Sequence, residues 1–130
     1  MLDIEPAGSP LVLATVSGTS GSTPQKPGSS ALFGMRGLIA GTIGGGILEG
    51  SVQGIANQAL KDHKSGYYHF NLDHDIFHPE EAICGGQADV LVDADPLAHL
   101  DCLEKMKKSV RARKPGVLLT IVTGLKSDSL

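Results

Sequence analysis

The residues best placed to hold a ligand lie in the run Gly41-Thr42-Ile43-Gly44-Gly45-Gly46-Ile47-Leu48-Glu49. An apolar, β-favouring run enters it and a helical pattern leaves it. Consecutive glycines lose much backbone entropy on folding, so they indicate either close approach to another group or dihedrals that L-residues avoid. A helix that begins after such a turn presents unpaired N–H groups and the positive end of its dipole. The run predicts a phosphate or other anion site at Gly44, Gly45 and Gly46, with a tight turn that holds no ligand as the alternative.

A second glycine turn, Cys84-Gly85-Gly86, places a thiol where it could take part in chemistry. Backbone N–H groups next to Cys84 would lower the pKa of the thiol and favour the reactive thiolate. The alternative is a small side chain that fills space in the interior. Cys102 falls in the middle of a helical pattern, near its apolar side, and is predicted to belong to the core. Two cysteines without framework spacing indicate reduced thiols and a cytoplasmic protein.

The segment between Ser17 and Ser30 is a third candidate, because Gly, Pro, Ser and Thr dominate it. This composition predicts a loop, and its length is typical of loops that are either functional or disordered. The hydroxyls and N–H groups of Ser20-Gly21-Ser22-Thr23, with Lys26 nearby, suit a polar or anionic ligand. A solvated flap is the alternative.

The sequence disfavours two other kinds of site, a metal site and a nucleotide site. His63, His69, His74 and His78 lie near one another in sequence, and His74 and His78, four residues apart, could share one face of a helix. Pro79 follows at once, however, and the spacing matches no standard zinc site, so no metal site is predicted. A nucleotide site is also disfavoured, since the glycines do not form G-x-G-x-x-G and no Walker lysine follows them.

Composition restricts the classes of function further. The chain has 130 residues, 41% of them hydrophobic and 19% charged, which is typical of one globular domain. A formal charge of −3 gives no reason to expect binding to nucleic acid or an anionic membrane. No apolar run approaches membrane-spanning length, and the acidic start does not resemble a signal peptide. The basic residues between Lys105 and Lys114 are interpreted as the solvated side of a helix.

Strands and helices must position these candidate residues, and the sequence pattern predicts where those elements lie. Apolar and β-branched runs predict six strands, at Leu11–Val16, Ala31–Met35, Leu38–Ile43, Gly66–Leu72, Ala88–Val92 and Val117–Val122. Helical spacing predicts one helix from about Ile47 to Lys61, with Leu48, Val52, Ile55 and Ala59 on its apolar stripe. A second helix starts at Pro96 behind Asp95, with Leu97, Leu100, Leu103, Met106 and Val110 on its apolar side. The expected fold is α+β, a mixed sheet of about six strands with two main helices in a single domain, 1–130.

Gly50 and Gly54 lie four residues apart in the first helix, where each weakens the helix by up to about 1 kcal/mol relative to Ala. Close packing against another backbone is the expected compensation. That spacing, together with the small size of the chain, predicts a symmetric homodimer.

The four motif blocks, taken together, resemble one known family. Ala14-Thr15-Val16, Gly21-Ser22-Thr23-Pro24 through Pro27-Gly28, Gly41 to Gly46 with Leu48-Glu49, and Cys84-Gly85-Gly86 are similar in order and spacing to the N-terminal domain of the XdhC/CoxI family. The resemblance covers residues 11–92. It implies an accessory protein that is not itself an enzyme, and that binds the molybdenum cofactor (molybdopterin) as cargo. Such a protein protects the cofactor and delivers it to a molybdenum hydroxylase such as xanthine dehydrogenase.

The resemblance also implies site residues and partners. The cofactor-binding residues expected are Ser20, Gly21, Ser22, Thr23, Gly44, Gly45, Gly46, Glu49, Cys84, Gly85 and Gly86, with no catalytic residue. The expected partners are an apo molybdenum hydroxylase, a cysteine desulfurase and a separate Rossmann-like subunit. The last is expected because the chain lacks the Rossmann-like C-terminal domain of most members. Gln25 and Ile47 depart from the family pattern, which commonly has Arg and Cys at these places. The rival functions are a sulfur-transfer enzyme that uses Cys84 and a metal-binding or subunit-bridging module.

Overall fold

The structure is a computed structural model that describes residues 7–23, 25–72, 85–124 and 127–129. Six strands form one sheet in the order β3-β2-β1-β5-β4-β6. The elements in chain order are β1 (Val12–Gly21), β2 (Ser30–Gly34), β3 (Gly37–Gly41), α1 (Gly46–Asp62), β4 (Gly66–Asn71), β5 (Gly86–Asp93), a 3₁₀ turn (Pro96–His99), α2 (Leu100–Arg111) and β6 (Ser127–Ser129). Neighbouring strands are antiparallel except β4 and β6, which are parallel. The predicted α+β fold with a mixed sheet is therefore confirmed.

The central strand β1 is longer than the sequence predicts. Its alternating residues Val12, Ala14 and Val16 are fully buried, as the apolar pattern requires. The strand then continues through Ser17 to Gly21, a part that composition assigned to a loop. Antiparallel pairing with β5 extends this strand to Gly21, with a bulge between Val16 and Gly18. The prediction failed because polar residues at the end of a strand depend on backbone pairing, which hydrophobic periodicity cannot detect.

Helix α1 covers one face of the sheet and confirms the predicted amphipathic stripe. Leu48, Val52 and Ala59 are buried as predicted, Ala56 and Leu60 join them, and Ile55 is partly buried against the core. The opposing sheet face contributes Val12, Phe33, Val90 and Val92, each fully buried. The prediction for Gly50 and Gly54 is wrong within this chain, because both lie on the exposed side of α1 and a Cβ at either would meet nothing within 4 Å.

The C-terminal third departs most from the sequence prediction. Residues 117–122 form no strand and are exposed, although their β-branched composition predicts one. Helix α2 forms, but it buries no residue, so its predicted apolar side faces solvent and Cys102 is exposed instead of in the core. Hydrophobic spacing shows which side of a helix is apolar. It does not show whether another element of the same chain packs against that side.

The topology brings three of the four motif blocks to one end of the sheet, while Ala14-Thr15-Val16 lies within β1. Because the strand pairs of the motif region are antiparallel, the ends of β1, β3 and β4 and the starts of β2 and β5 lie on the same side. The connections after β1, after β3 and before β5 therefore share this end, which we call the motif edge. The β2–β3 turn, the end of α1 and the exit to α2 lie at the opposite end.

Candidate functional site

The three-glycine turn takes backbone angles that require glycine. Gly44, Gly45 and Gly46 have φ values of 122°, 70° and 58°, which L-residues rarely adopt. Gly45 is the N-cap of α1 and has no side chain to satisfy the first N–H groups. A Cβ at Gly45 or Gly46 would meet nothing within 4 Å, so the outer surface of the turn is open.

Glu49 fills the inner side of this turn. Its Oε2 accepts hydrogen bonds from the Thr42 hydroxyl at 2.7 Å and from the backbone N–H groups of Ile43 and Gly45 at 3.1 and 3.2 Å. Thr42 Oγ1 in turn accepts from the N–H of Gly44 at 3.1 Å. The Thr42 hydroxyl, followed by the two backbone donors, lowers the pKa of Glu49 below its ordinary value of 4.5. The turn thus carries a built-in carboxylate at the helix N-terminus.

The two oxygens of this carboxylate differ in their contacts. Within the described part of the chain, no hydrogen bond reaches Glu49 Oε1. Three donors hold Oε2, so the direction in which Oε1 points is fixed before any ligand arrives. A fixed, ionised acceptor next to an open backbone turn is chemically suited to a ligand that presents N–H groups.

The loop motif and the second glycine turn meet directly. Gly21 pairs with Gly86, and the N–H of Ser22 donates to the carbonyl of Gly85 at 3.2 Å. A Cβ on Gly86 would lie 2.7 Å from the carbonyl oxygen of Ser20 and would also collide with that of Ser22. Gly21 has a φ of 69°, and a Cβ there would lie 2.8 Å from the carbonyl oxygen of Gly85. Both glycines are therefore required for the close approach of two backbones.

The remainder of the first loop folds back on β1. The N–H of Gly28 donates to the Val16 carbonyl at 2.7 Å, and the Ser29 hydroxyl donates to the side chain of Gln25 at 3.1 Å. Ser22 and Lys26 are exposed. The loop therefore has internal structure, with its free polar groups at the motif edge.

The structure places the predicted site residues in two groups. One comprises Ser20 to Thr23 with Gly85 and Gly86, and the other comprises Gly44 to Gly46 with Glu49. Both lie at the motif edge, but within the described residues no hydrogen bond joins them. The first loop lies between them, since the N–H of Thr42 donates to the carbonyl of Ser30 at the end of that loop, at 3.0 Å. Cys84, the predicted thiol, lies outside the described residues, as do His74 and His78.

Sequence reasoning missed a polar pair beside the first group. His69 Nδ1 lies 2.6 Å from Asp89 Oδ1, on the sheet face opposite α1. The Ser17 hydroxyl bonds to the Tyr67 hydroxyl nearby, at 3.0 Å. Among the described residues no group of three His, Cys, Asp or Glu is arranged to hold a metal ion. The one signal in sequence was that His69 and Asp89 fall on the polar positions of two predicted strands.

Comparison with known proteins identifies this domain. The fold is an α+β domain in which the loops with the candidate site residues lie at one end of a mixed sheet. The sequence model of the XdhC and CoxI family matches residues 5–71, more than half of the chain, and the chain belongs to this family. The family is associated with the maturation of xanthine dehydrogenase and other molybdenum hydroxylases.

A solved structure supports the fold. A crystal structure described as a xanthine dehydrogenase from Bacillus halodurans superposes with a TM-score of 0.69 and 24% identity. The match covers 82% of this chain but 32% of the other, so this chain spans about a third of the length of that protein. No curated protein sequence matches the chain significantly. In the described residues, no helix is long and apolar enough to cross a membrane.

Proposed function

We propose that this protein is an accessory factor that binds the molybdenum cofactor as cargo, protects it, and delivers it to an apo molybdenum hydroxylase such as xanthine dehydrogenase. It acts as a carrier and does not catalyse a reaction on the cofactor. The observation that carries the proposal is that three of the four family motif blocks have their described residues at the motif edge, while Ala14-Thr15-Val16 lies within β1. The family's association with these enzymes supplies the class of cargo.

Glu49 supports a specific assignment within the cargo. The cofactor has a polar pterin, a phosphate and a dithiolene-bound metal. Since Glu49 already places a negative charge against Gly45, a phosphate at this position would meet repulsion. The pterin, whose pyrimidine edge presents N–H groups, fits Glu49 Oε1 and the open surface of Gly45 and Gly46.

The phosphate fits the other group better. Exposed Ser22 and Lys26 offer a hydroxyl and an ammonium group, and the backbone turns at Gly21 and Gly85 lie beside them. The thiol of Cys84, next in sequence to Gly85, would then approach the metal or its exchangeable sulfur, since soft ligands suit such a centre. A cysteine desulfurase that supplies this sulfur completes the proposed set of partners.

The test is purification of the chain from cells that make the cofactor, followed by oxidation and measurement of pterin fluorescence per chain. We expect clear fluorescence from the wild type, and transfer of the pterin to apo-enzyme on mixing. Glu49→Gln should retain about tenfold less pterin, because one charge-assisted hydrogen bond is worth roughly 1.5–3 kcal/mol. Glu104→Gln, the same change on exposed α2, is the matched control. Wild-type protein without pterin would overturn the proposal, whereas full retention by Glu49→Gln would overturn only the assignment of that residue.

A further inference from the structure

A long stretch of exposed apolar residues marks the C-terminal third. Nine large hydrophobic side chains between residues 97 and 122 are more than 40% exposed, whereas only Met35, Leu38 and Ile47 are comparably exposed in the other described residues. The nine are Leu97, Leu100, Met106, Val110, Val117, Leu118, Leu119, Ile121 and Val122. We call residues 97–122 the apolar arm. Exposed apolar patches of more than a few hundred Å² mark interaction sites in folded proteins.

The start of the arm is fixed. Pro96 is buried, the N–H of Ala94 donates to the Ser65 hydroxyl at 3.0 Å, and His99 Nε2 lies 3.7 Å from Asp93 Oδ2. From this anchored exit, α2 leaves the domain without burying a single residue. An isolated helix of 12 residues is marginal in water, so it needs a surface to pack against.

Within the described residues, a second surface has no helix packed on it, the sheet face opposite α1. Leu13, Leu32, Tyr67 and Leu91 lie on it, each only partly buried, and form one cross-strand patch through the pairs Leu13–Leu32 and Tyr67–Leu91. We call this patch, with Asp89 and Asp93 beside it, the open sheet face. In the described part of the chain the helix that packs on the sheet is α1, which covers the other side.

The two surfaces are complementary in charge. The apolar arm contains six Lys or Arg and two Asp or Glu, a formal charge of +4, although the whole chain carries −3. Lys107 and Arg111 flank the apolar side of α2 by helical spacing. Asp89 and Asp93 lie on the open sheet face at alternate positions of β5, on either side of Leu91. A basic amphipathic helix therefore fits an apolar patch that bears two carboxylates, of which Asp89 also contacts His69 and Asp93 also contacts His99.

We propose that the apolar arm of one copy docks on the open sheet face of a second copy, and the reverse, in a symmetric homodimer. The nine arm residues present on the order of 900 Å² at their observed exposures, about what one partner buries in a standard interface. The reciprocal contact closes the assembly at two copies. The arm leaves from the end of the sheet opposite the motif edge, so both cofactor sites stay open. This inference does not depend on the proposed cargo.

Sedimentation of the purified chain over roughly 1–100 micromolar tests the assembly, since an interface of standard size gives affinities in or below this range. We expect a dimer at the upper end. Leu119→Asp should weaken dimerisation by at least about tenfold, because it places a charge in the apolar contact. Leu119 is 77% exposed and outside the helices and strands, so the change leaves the domain folded. Met35→Asp is the matched control, a 63% exposed side chain at the far end of the β2–β3 hairpin, and should leave the dimer intact.

Cross-linking locates the contact in unmutated protein. Exposed Cys102 on α2 accepts a benzophenone label, and mixing ¹⁴N and ¹⁵N chains separates links between copies from links within one. We expect mixed-isotope links from Cys102 to peptides of β1, β4 or β5. A protein that stays monomeric at every concentration would overturn the proposal. The surface that packs against the arm would then belong to a different protein domain. Links confined to one chain, or equal loss of the dimer in Met35→Asp, would also overturn it.

Discussion

At the scale of single residues, Glu49 is the clearest case in which local geometry sets a titration. Its folded-state pKa is depressed, so its contribution to stability is fully present above the ordinary value of 4.5 and is lost as the pH falls through the lower folded value. Glu49→Gln should lower the free energy of unfolding by about 1 kcal/mol at pH 7, in line with a lost charged cap. Urea unfolding at pH 7 and pH 3 measures this. A destabilisation that is equally large at pH 3 would contradict the assignment.

Gly86 gives a second residue-scale prediction. Gly86→Ala would force a methyl group against two backbone carbonyls, and backbone cannot move aside as a flexible side chain can. We expect a loss of roughly 2–4 kcal/mol in the free energy of unfolding, as for other overpacked sites. Gly116→Ala, where a Cβ meets nothing within 4 Å, should change it by less than about 0.5 kcal/mol. Equal effects of the two substitutions would show that the Gly21–Gly86 contact is looser than the structure has it.

Cys102 requires a revised expectation. Because it is exposed, Cys102→Ser should change stability by less than about 0.5 kcal/mol, as at other surface positions. Burial in the core would instead predict a cost of roughly 1–3 kcal/mol for an unsatisfied hydroxyl. In dilute protein, iodoacetamide should modify Cys102 readily in the native state, which peptide mass spectrometry can follow. Protection equal to that of a core thiol would contradict the exposed position of α2.

At the scale of elements, α1 carries a prediction because its glycines lack neighbours. Gly50→Ala and Gly54→Ala should each stabilise the protein by about 0.5–1 kcal/mol, since alanine loses less backbone entropy in a helix. Thermal unfolding of the two variants and the wild type measures the change. If either substitution disrupts the dimer instead, this side of α1 is an interface, as the sequence first suggested.

How far the sequence determines the structure also differs by element. β2, β3, β4 and α1 were predicted to within a residue or two, because their apolar side chains are buried by near neighbours in the same domain. The polar half of β1 was missed, since pairing between Ser20 and Gln87 depends on backbone that comes together only in the fold. The role of Glu49 was expected only as part of a family motif. That its own carboxylate occupies the glycine turn could not be foreseen, because the contact requires the angles of three successive glycines.

At the scale of the whole molecule, the described chain consists of two parts. One is the sheet with α1 packed on it, and the other is the apolar arm, whose large hydrophobic side chains remain exposed. Hydrogen exchange should separate these two parts by their local stability. Amides of β1 and β5, at the centre of the sheet, should exchange most slowly. Those of α2 should be protected only in the dimer, since none of its residues is buried within the chain.

The Leu119→Asp variant tests whether a second copy of the chain protects the amides of the arm. In that variant, we expect amides of residues 100–122 to lose most of their protection while those of β1 and β5 remain unchanged, because the sheet does not depend on the arm for its core. A lone amphipathic helix frays rapidly once its partner surface is removed. Exchange followed by mass spectrometry of peptides from the two regions gives the comparison within one sample, so the sheet serves as its own control. If the arm stays protected in a monomeric Leu119→Asp protein, it packs on its own chain and the proposed exchange between copies is wrong.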